Sequence, residues 1–212
     1  MPRYDIPDGG DAQYEPGSDR EVLRNLLGVV RRQEMDVIEL QALVGAKNRF
    51  FEHFDLDQKF IPETLQAMHR DWLEKLYPFA GQLRGVDIAK GNVWFAAAQF
   101  LESTFASFGR ETLERLTPRR AESIHSAAAA IAEVHGELIA IHPFREGNGR
   151  LGRWLADAMA AQSGLPFPSY GFTAGIEGVH NAQYLAAVKR SVSKADHSDL
   201  TRFFVEALGR AL

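Results

Sequence analysis

Twelve consecutive residues, His142-Pro143-Phe144-Arg145-Glu146-Gly147-Asn148-Gly149-Arg150-Leu151-Gly152-Arg153, hold more chemistry than any other stretch of this 212-residue chain. They bring together an imidazole able to take a proton near neutral pH, a carboxylate suited to a hard cation, the flexible glycine pair Gly147 and Gly149, and the guanidinium groups of Arg150 and Arg153. That set suits holding a polyphosphate while a nucleophile beside it is deprotonated. Pro143 is expected to end one helix and Arg150 to open the next. Gly147, Asn148 and Gly149 then sit at a helix N-terminus, where unpaired amides and the positive dipole end favour an anion. Glycine lets successive N–H groups converge on phosphate oxygens. Arg150 and Arg153, three apart, share a helix face and can grip further oxygens with fixed forks. Glu146 supplies the oxygen that Mg²⁺ takes when it bridges nucleotide phosphates.

Each group alone also fits a plainer role. A single His is commonly a packing residue, a glycine pair after a helix is commonly a C-cap turn, and Phe144 reads as core filler that anchors the loop. The joint spacing is what favours chemistry. Gly147-x-Gly149-x-x-Gly152 also spells the dinucleotide fingerprint, but that motif follows a strand in a βαβ unit and here a helix precedes it. The chain contains no Gly-x-x-x-x-Gly-Lys-Ser/Thr phosphate loop. Its other histidines (His53, His69, His125, His135, His180, His197) show no His-Glu-x-x-His spacing, so a zinc site is not expected.

The elements that must position these residues read as helices. Apolar residues make up 45% of the chain and charged residues 25%, ordinary values for a globular protein that buries a real core. A net charge of -4 gives no general pull toward nucleic acid or an anionic membrane. The chain has no cysteine, which excludes disulfides, thiolate metal sites and thiol nucleophiles. Without an apolar leader at the N-terminus or an uninterrupted 18-residue apolar run, the expected location is the cytoplasm. Proline, glycine and acidic residues over 1–19 predict an irregular arm. Three- and four-residue apolar steps through Val22, Leu23, Leu26, Leu27, Val30, Val37, Leu40, Leu43 and Val44 predict one or two helices over 19–52. A helix over 62–76 presents Leu65, Met68, Trp72 and Leu76 on one face. Lys90-Gly91-Asn92, between Leu83, Val86, Ile88 and Val93, Trp94, Phe95, predicts a lone β-hairpin. Thr117-Pro118 reads as a helix start, followed by a buried stripe of Ile124, Ala127, Ile131, Val134, Leu138 and Ile141. His142 follows Leu138 by four and so points inward. Further helices are expected over 151–163, ending at Gly164, then 179–193 and 197–208. No repeat or linker divides the chain, so one all-α domain over 20–212 is expected.

Residues 142–153 resemble the signature of the Fic family, His-Pro-Phe-x-(Asp/Glu)-Gly-Asn-Gly-Arg-x-x-Arg, at every specified position. Tyr77-Pro78-Phe79-Ala80-Gly81-x-x-Arg84 is similar to that family's Trp-Ala-Gly-x-x-Arg, with Phe79 in place of Trp. The resemblance covers roughly residues 20–208. It implies a Fic-like helical bundle with one β-hairpin, the flap, beside the active site. It also implies protein adenylylation, in which AMP passes from ATP to a Tyr, Ser or Thr hydroxyl of a target protein and pyrophosphate leaves. In that scheme His142 is the general base and Glu146 holds Mg²⁺. Gly147, Asn148 and Gly149 cradle the α- and β-phosphates, and Arg150 and Arg153 hold the β/γ end. The target backbone would lie along the flap by strand addition, with Ile88, Ala89 and Val93 docking it and Lys90 and Gly91 on the nucleotide side. Tyr184 falls where relatives place an aromatic near the adenine, and within Ala-Gln-Tyr-Leu-Ala-Ala it fits a core position equally well. Gly149 argues against the family's kinase branch, Doc, which carries Lys there. Another nucleotide donor remains an alternative, since the motif does not fix the base.

Many relatives are silenced by a helix bearing Ser/Thr-x-x-x-Glu-(Gly/Asn), whose Glu pairs with the second motif Arg. Thr173-Ala-Gly-Ile-Glu177-Gly178 matches by letter. Its place between two core helices, and the cost of about 1 kcal/mol for Gly175 in a short helix, argue against it. The expectation is instead a toxin-type enzyme restrained by a separate small antitoxin protein that offers its glutamate to Arg153.

Overall fold

The computed structural model describes residues 13–91, 93–172 and 177–212, with side chains throughout except at 177–180. Among the described residues the α-helical segments are, in chain order, α1 (Arg32–Glu52), α2 (Pro62–Leu73), α3 (Leu101–Phe108), α4 (Glu114–Leu116), α5 (Ile124–Ile141), α6 (Asn148–Gln162), α7 (Glu177–Lys194) and α8 (Ser198–Gly209). A π-helical stretch over Gly109–Leu113 joins α3 to α4. Between α2 and α3, β1 (Ala89–Lys90) pairs antiparallel with β2 (Val93–Trp94), with Ala89 opposite Trp94 and Lys90 opposite Val93. The fold is therefore helical with one small hairpin, as the sequence predicts, although the hairpin is shorter than 83–95. Of the arm expected over 1–19, residues 1–12 lie outside the described residues, and Tyr14 forms a bridge to Leu23.

The chain divides into two compact units. One comprises the described parts of Met1–Phe54, Pro62–Ala106 and His142–Asn148; the other Asp55–Ile61, Ser107–Ile141 and Gly149–Leu212. In the first unit α1 packs on α2. The predicted α2 stripe of Leu65, Met68, Trp72 and Leu76 is buried. The Trp72 indole donates to the Glu39 carbonyl at 2.9 Å, and the Tyr77 hydroxyl donates to the Glu39 carboxylate.

Of the one or two helices expected over 19–52, the structure forms one, α1, and residues 19–31 are not helical. Asn25 offers that backbone an alternative: its Oδ1 accepts from the amides of Leu27 and Val29, and its Nδ2 donates to the carbonyls of Leu23 and Val29. Gly28 then turns the chain at φ +67°. The face of α1 also differs from its apolar stripe. Met35, Glu39 and Ala46 are buried, whereas Val37, Leu40 and Val44 are at least half exposed. Burying the bonded Glu39 turns those three outward.

In the second unit α5 is the central helix and packs against α7 and α8. Ala127, Ile131, Val134, Leu138 and Ile141 are buried as predicted. By length and a hydropathy of 1.2, α5 resembles a membrane span, but most of it is buried inside the protein, which accounts for its apolarity. It does not start at Thr117-Pro118. The Thr117 hydroxyl donates to the Leu113 carbonyl at 2.7 Å and accepts from the Phe60 amide at 3.0 Å, so it closes α4 and holds the strap before α2. The cap of α5 is Ser123, whose hydroxyl accepts from the Ser126 amide while Ser126 Oγ accepts from the Ser123 amide. α6 begins at Asn148, three residues before the expected 151–163, and stops just before Gly164 as expected, where the Leu165 amide bonds to the Ala160 carbonyl.

Candidate functional site

The motif divides where the units divide, and each part is a built structure. Within the first unit, residues 142–148 form a tight loop closed on itself. The Asn148 side chain accepts from the Phe144 amide at 2.9 Å and donates to the Phe144 carbonyl at 2.7 Å. Asn148 is fully buried, so both arms of its amide serve the loop. Phe144, also fully buried, stacks on the His69 ring at 4.0 Å and 10° and meets Phe105 edge-on. Its reading as an anchor fits these contacts.

His69, which the sequence does not single out, fixes the loop from α2. Its Nδ1 accepts from the Gly81 amide at 2.8 Å, which leaves Nε2 to donate to the Glu146 carbonyl at 3.0 Å. Both ring nitrogens are thereby assigned, and the ring is neutral. Gly147 follows at φ +83°, and a Cβ there would lie 2.7 Å from Trp72 Cζ3. Backbone conformation and the indole wall both demand glycine. The Gly147 amide is engaged by Glu146 Oε1 at 2.8 Å, which orients that carboxylate across the loop.

His142 is 5% exposed and sits at φ +52°, a left-handed conformation uncommon for a residue other than glycine. Its ring stacks on Phe95 at 3.8 Å and 19°. Phe95 follows β2 directly, and its amide donates to the Ile88 carbonyl, so the hairpin places an aromatic face on the imidazole. Arg84, buried to 3%, donates through Nε to the His142 carbonyl at 2.7 Å and through its amide to the Pro143 carbonyl at 2.9 Å. At the hairpin, Ile88 and Ala89 are each 1% exposed while Lys90 and Gly91 are exposed and Val93 is half-buried. The side chains of Ile88 and Ala89 face the interior, which leaves backbone as what these two positions can offer a docking chain.

Within the second unit, α6 carries Arg150 and Arg153, both half-exposed, on its first turns. The Arg153 guanidinium lies 6.0, 5.6 and 5.8 Å from the ring centroids of Tyr170, Phe172 and Tyr184. Three electron-rich faces hold its plane. The Tyr170 hydroxyl shares its proton between Asp157 Oδ1 at 3.0 Å and the Arg153 carbonyl at 3.1 Å. Burial and the neighbouring Asp157 charge keep that phenol protonated, its pKa far above the usual value. Tyr184 is 5% exposed, and its hydroxyl lies 2.8 Å from His135 Nε2 and 3.5 Å from Arg153 Nη1. Burial raises its pKa as well, partly offset by Arg153. Burial lowers that of His135 to about 4. Gly152 is explained by the same ring: a Cβ at 152 would meet His135 Nδ1 at 2.9 Å.

The structure thus joins His142, Glu146, Gly147 and Asn148 to the hairpin, His69 and Arg84, and joins Arg153 to Tyr184. The cage residues Tyr170 and Phe172 carry no local signal in the sequence. The stretch resembling an inhibitory motif lies outside the described residues at 173–176, as do the side chains at Glu177 and Gly178. Among the described residues no group of three or more His, Cys, Asp or Glu could hold a metal. Mg²⁺ is ordinarily held by one or two carboxylates plus substrate phosphates, so Glu146 fits an ion that arrives with a nucleotide.

The model of the Fic/DOC family matches residues 56–160. A probable protein adenylyltransferase, y4lH, of Sinorhizobium fredii is 31% identical over 150 residues, covering 71% of this chain and 74% of the relative. The protein adenylyltransferase VbhT of Bartonella schoenbuchensis is 30% identical over 156 residues, 73% of this chain but 32% of its own length. Among solved structures, BepC of Bartonella tribocorum with bound AMPPNP superposes with a TM-score of 0.73 at 18% identity, covering 92% of this chain and 95% of that one.

Proposed function

The chain is a member of the Fic/DOC family, and on that premise we propose that it moves AMP from ATP to a Tyr, Ser or Thr hydroxyl of a target protein. In this reading residues 20–212 act as one catalytic domain in the cytoplasm. The observation that carries it is the closed loop ending at α6: an imidazole held by Phe95 and Arg84 at one end, and two arginines on the first turns of a helix at the other.

His142 takes the proton from the target hydroxyl, and the hydroxyl oxygen attacks the α-phosphorus. The bond from that phosphorus to the α–β bridging oxygen breaks, and pyrophosphate leaves with the electron pair. The reaction balances as protein–OH plus ATP giving protein–O–AMP plus pyrophosphate. Arg150 and Arg153 hold the β/γ phosphates, and the amides that open α6 receive phosphate oxygens. Gly147, Asn148 and Gly149 cradle the α- and β-phosphates, with Glu146 Oε1 beside the Gly147 amide. Glu146 would hold Mg²⁺ on the phosphates, where the ion supplies charge neutralisation when bound. The target backbone adds to the hairpin edge, which orients the hydroxyl without reading much sequence.

Toxin-type regulation belongs to the same reading: a separate small protein supplies a carboxylate to Arg153, whose cage already presents the guanidinium. The deciding experiment incubates the chain with Mg²⁺, host lysate and ATP labelled at the α-phosphate. Label is expected on protein with the native chain and absent with His142→Ala, while mass spectrometry finds one added AMP. Label delivered from the γ-phosphate instead would make the enzyme a kinase and end this reading.

A further inference from the structure

We propose that Arg84 is a positioning residue for His142, its guanidinium tying the base's backbone to both roots of the hairpin along which a target would dock. The inference rests on the adenylyl-transfer reading and adds to it a link between docking and proton transfer.

Arg84 is 3% exposed, and a charged group so placed is tolerated only where its donors are matched. The matches are specific. Nε donates to the His142 carbonyl at 2.7 Å, Nη1 to the Val86 carbonyl at 2.6 Å, and Nη2 to the Ala96 carbonyl. The Arg84 amide adds a bond to Pro143 at 2.9 Å. Val86 enters the hairpin and Ala96 leaves it, so one rigid planar fork spans three backbone points that sequence alone leaves far apart. A lysine, with one nitrogen, cannot span them. On the exit side the Asp87 carboxylate also accepts from the Ala98 amide at 2.7 Å, which fastens the root.

The geometry of His142 shows what the fork is for. At φ +52° an L-residue is strained by the approach of its Cβ to the following carbonyl, and the bond to its carbonyl helps hold that conformation. Phe95, stacked on the imidazole, precedes Ala96, which the same fork grips. Arg84 therefore sets the base twice, through its own carbonyl and through the ring that lies on it. A chain that pulls the hairpin on docking moves the imidazole through the same two links.

The test uses the full chain with Arg84→Ala and Arg84→Lys. Turnover is expected to fall about 100-fold, the effect of a misplaced reacting group, with the KM for ATP within about twofold. Guanidinium ion at millimolar concentration is expected to restore part of the Arg84→Ala loss and none of that in Arg84→Lys. A second measurement needs no activity: the His142 Hε1 proton resonance, shifted by the Phe95 ring in the native chain, moves toward the position of a free imidazole in both variants. Turnover within twofold of native, a loss that falls entirely on the KM for ATP, or an unmoved resonance overturns the inference. Should Arg84→Ala not fold, Arg84→Lys and the resonance decide. A native chain that transfers no AMP defeats the adenylyl-transfer reading, and the resonance then judges the positioning claim by itself.

Discussion

Stability below neutral pH is expected to fall through His135. Burial lowers its pKa from 6.5 to about 4, with Arg153 opposing the charge as well. The ring is therefore neutral in the folded chain, while the unfolded chain takes a proton as pH drops below 6.5. A folded pKa below the unfolded one means that the unfolded state binds more protons in that window, so stability declines as pH falls from about 6.5 toward 4 and levels off below. With these two values the loss from this group is about 1.4 kcal/mol at pH 5.5 and about 3 kcal/mol at pH 4. For a chain of this size the first figure lowers Tm by about 3–6 °C. The assay is thermal unfolding from pH 7.5 to 4 of the native chain and of His135→Gln, which keeps an amide toward the Tyr184 hydroxyl but does not titrate. The difference between the two curves isolates His135 from the other histidines. Parallel curves across that range would refute the reasoning, since they would mean the ring protonates in the folded state at no cost.

Gly147→Ala adds a methyl 2.7 Å from the Trp72 ring at a φ of +83°; it is expected to cost about 2–3 kcal/mol, combining backbone strain with overpacking, and urea unfolding reads it. Arg153→Ala is expected to weaken ATP binding at least about tenfold by calorimetry, from loss of a charge-assisted grip on phosphate, while Tm moves by less than about 3 °C because the arginine is half-exposed. A large drop in Tm with unchanged affinity would make Arg153 a structural residue.

Periodicity within one element was legible. The stripe of α5, the face of α2 and the stop of α6 at Gly164 all depend on neighbours three to five residues away, and the sequence displays them. The layout of 142–153 was legible for the same reason, being one contiguous stretch in which a tight loop runs into the first turns of α6. What the sequence hid are partners brought in by the fold. His69 reaches Glu146 across 77 positions, Arg84 reaches His142 across 58, and Thr117 serves Phe60 across 57. Thr117-Pro118 reads as a helix start because the local pattern is a good one, and the distant amide it satisfies is invisible locally. The α1 stripe failed differently: spacing identifies an apolar face but not what covers it, and buried Glu39 with its two aromatic donors decided which face turned inward.

The unusual φ at position 142 makes that site select on shape as well as on chemistry. Val or Ile there would be rejected by the chain's own geometry, whereas Gly or Asn would settle comfortably and simply lack the imidazole. Saturation mutagenesis read for solubility and for labelling in parallel should therefore yield two separate tolerance profiles at one codon, with histidine alone satisfying both.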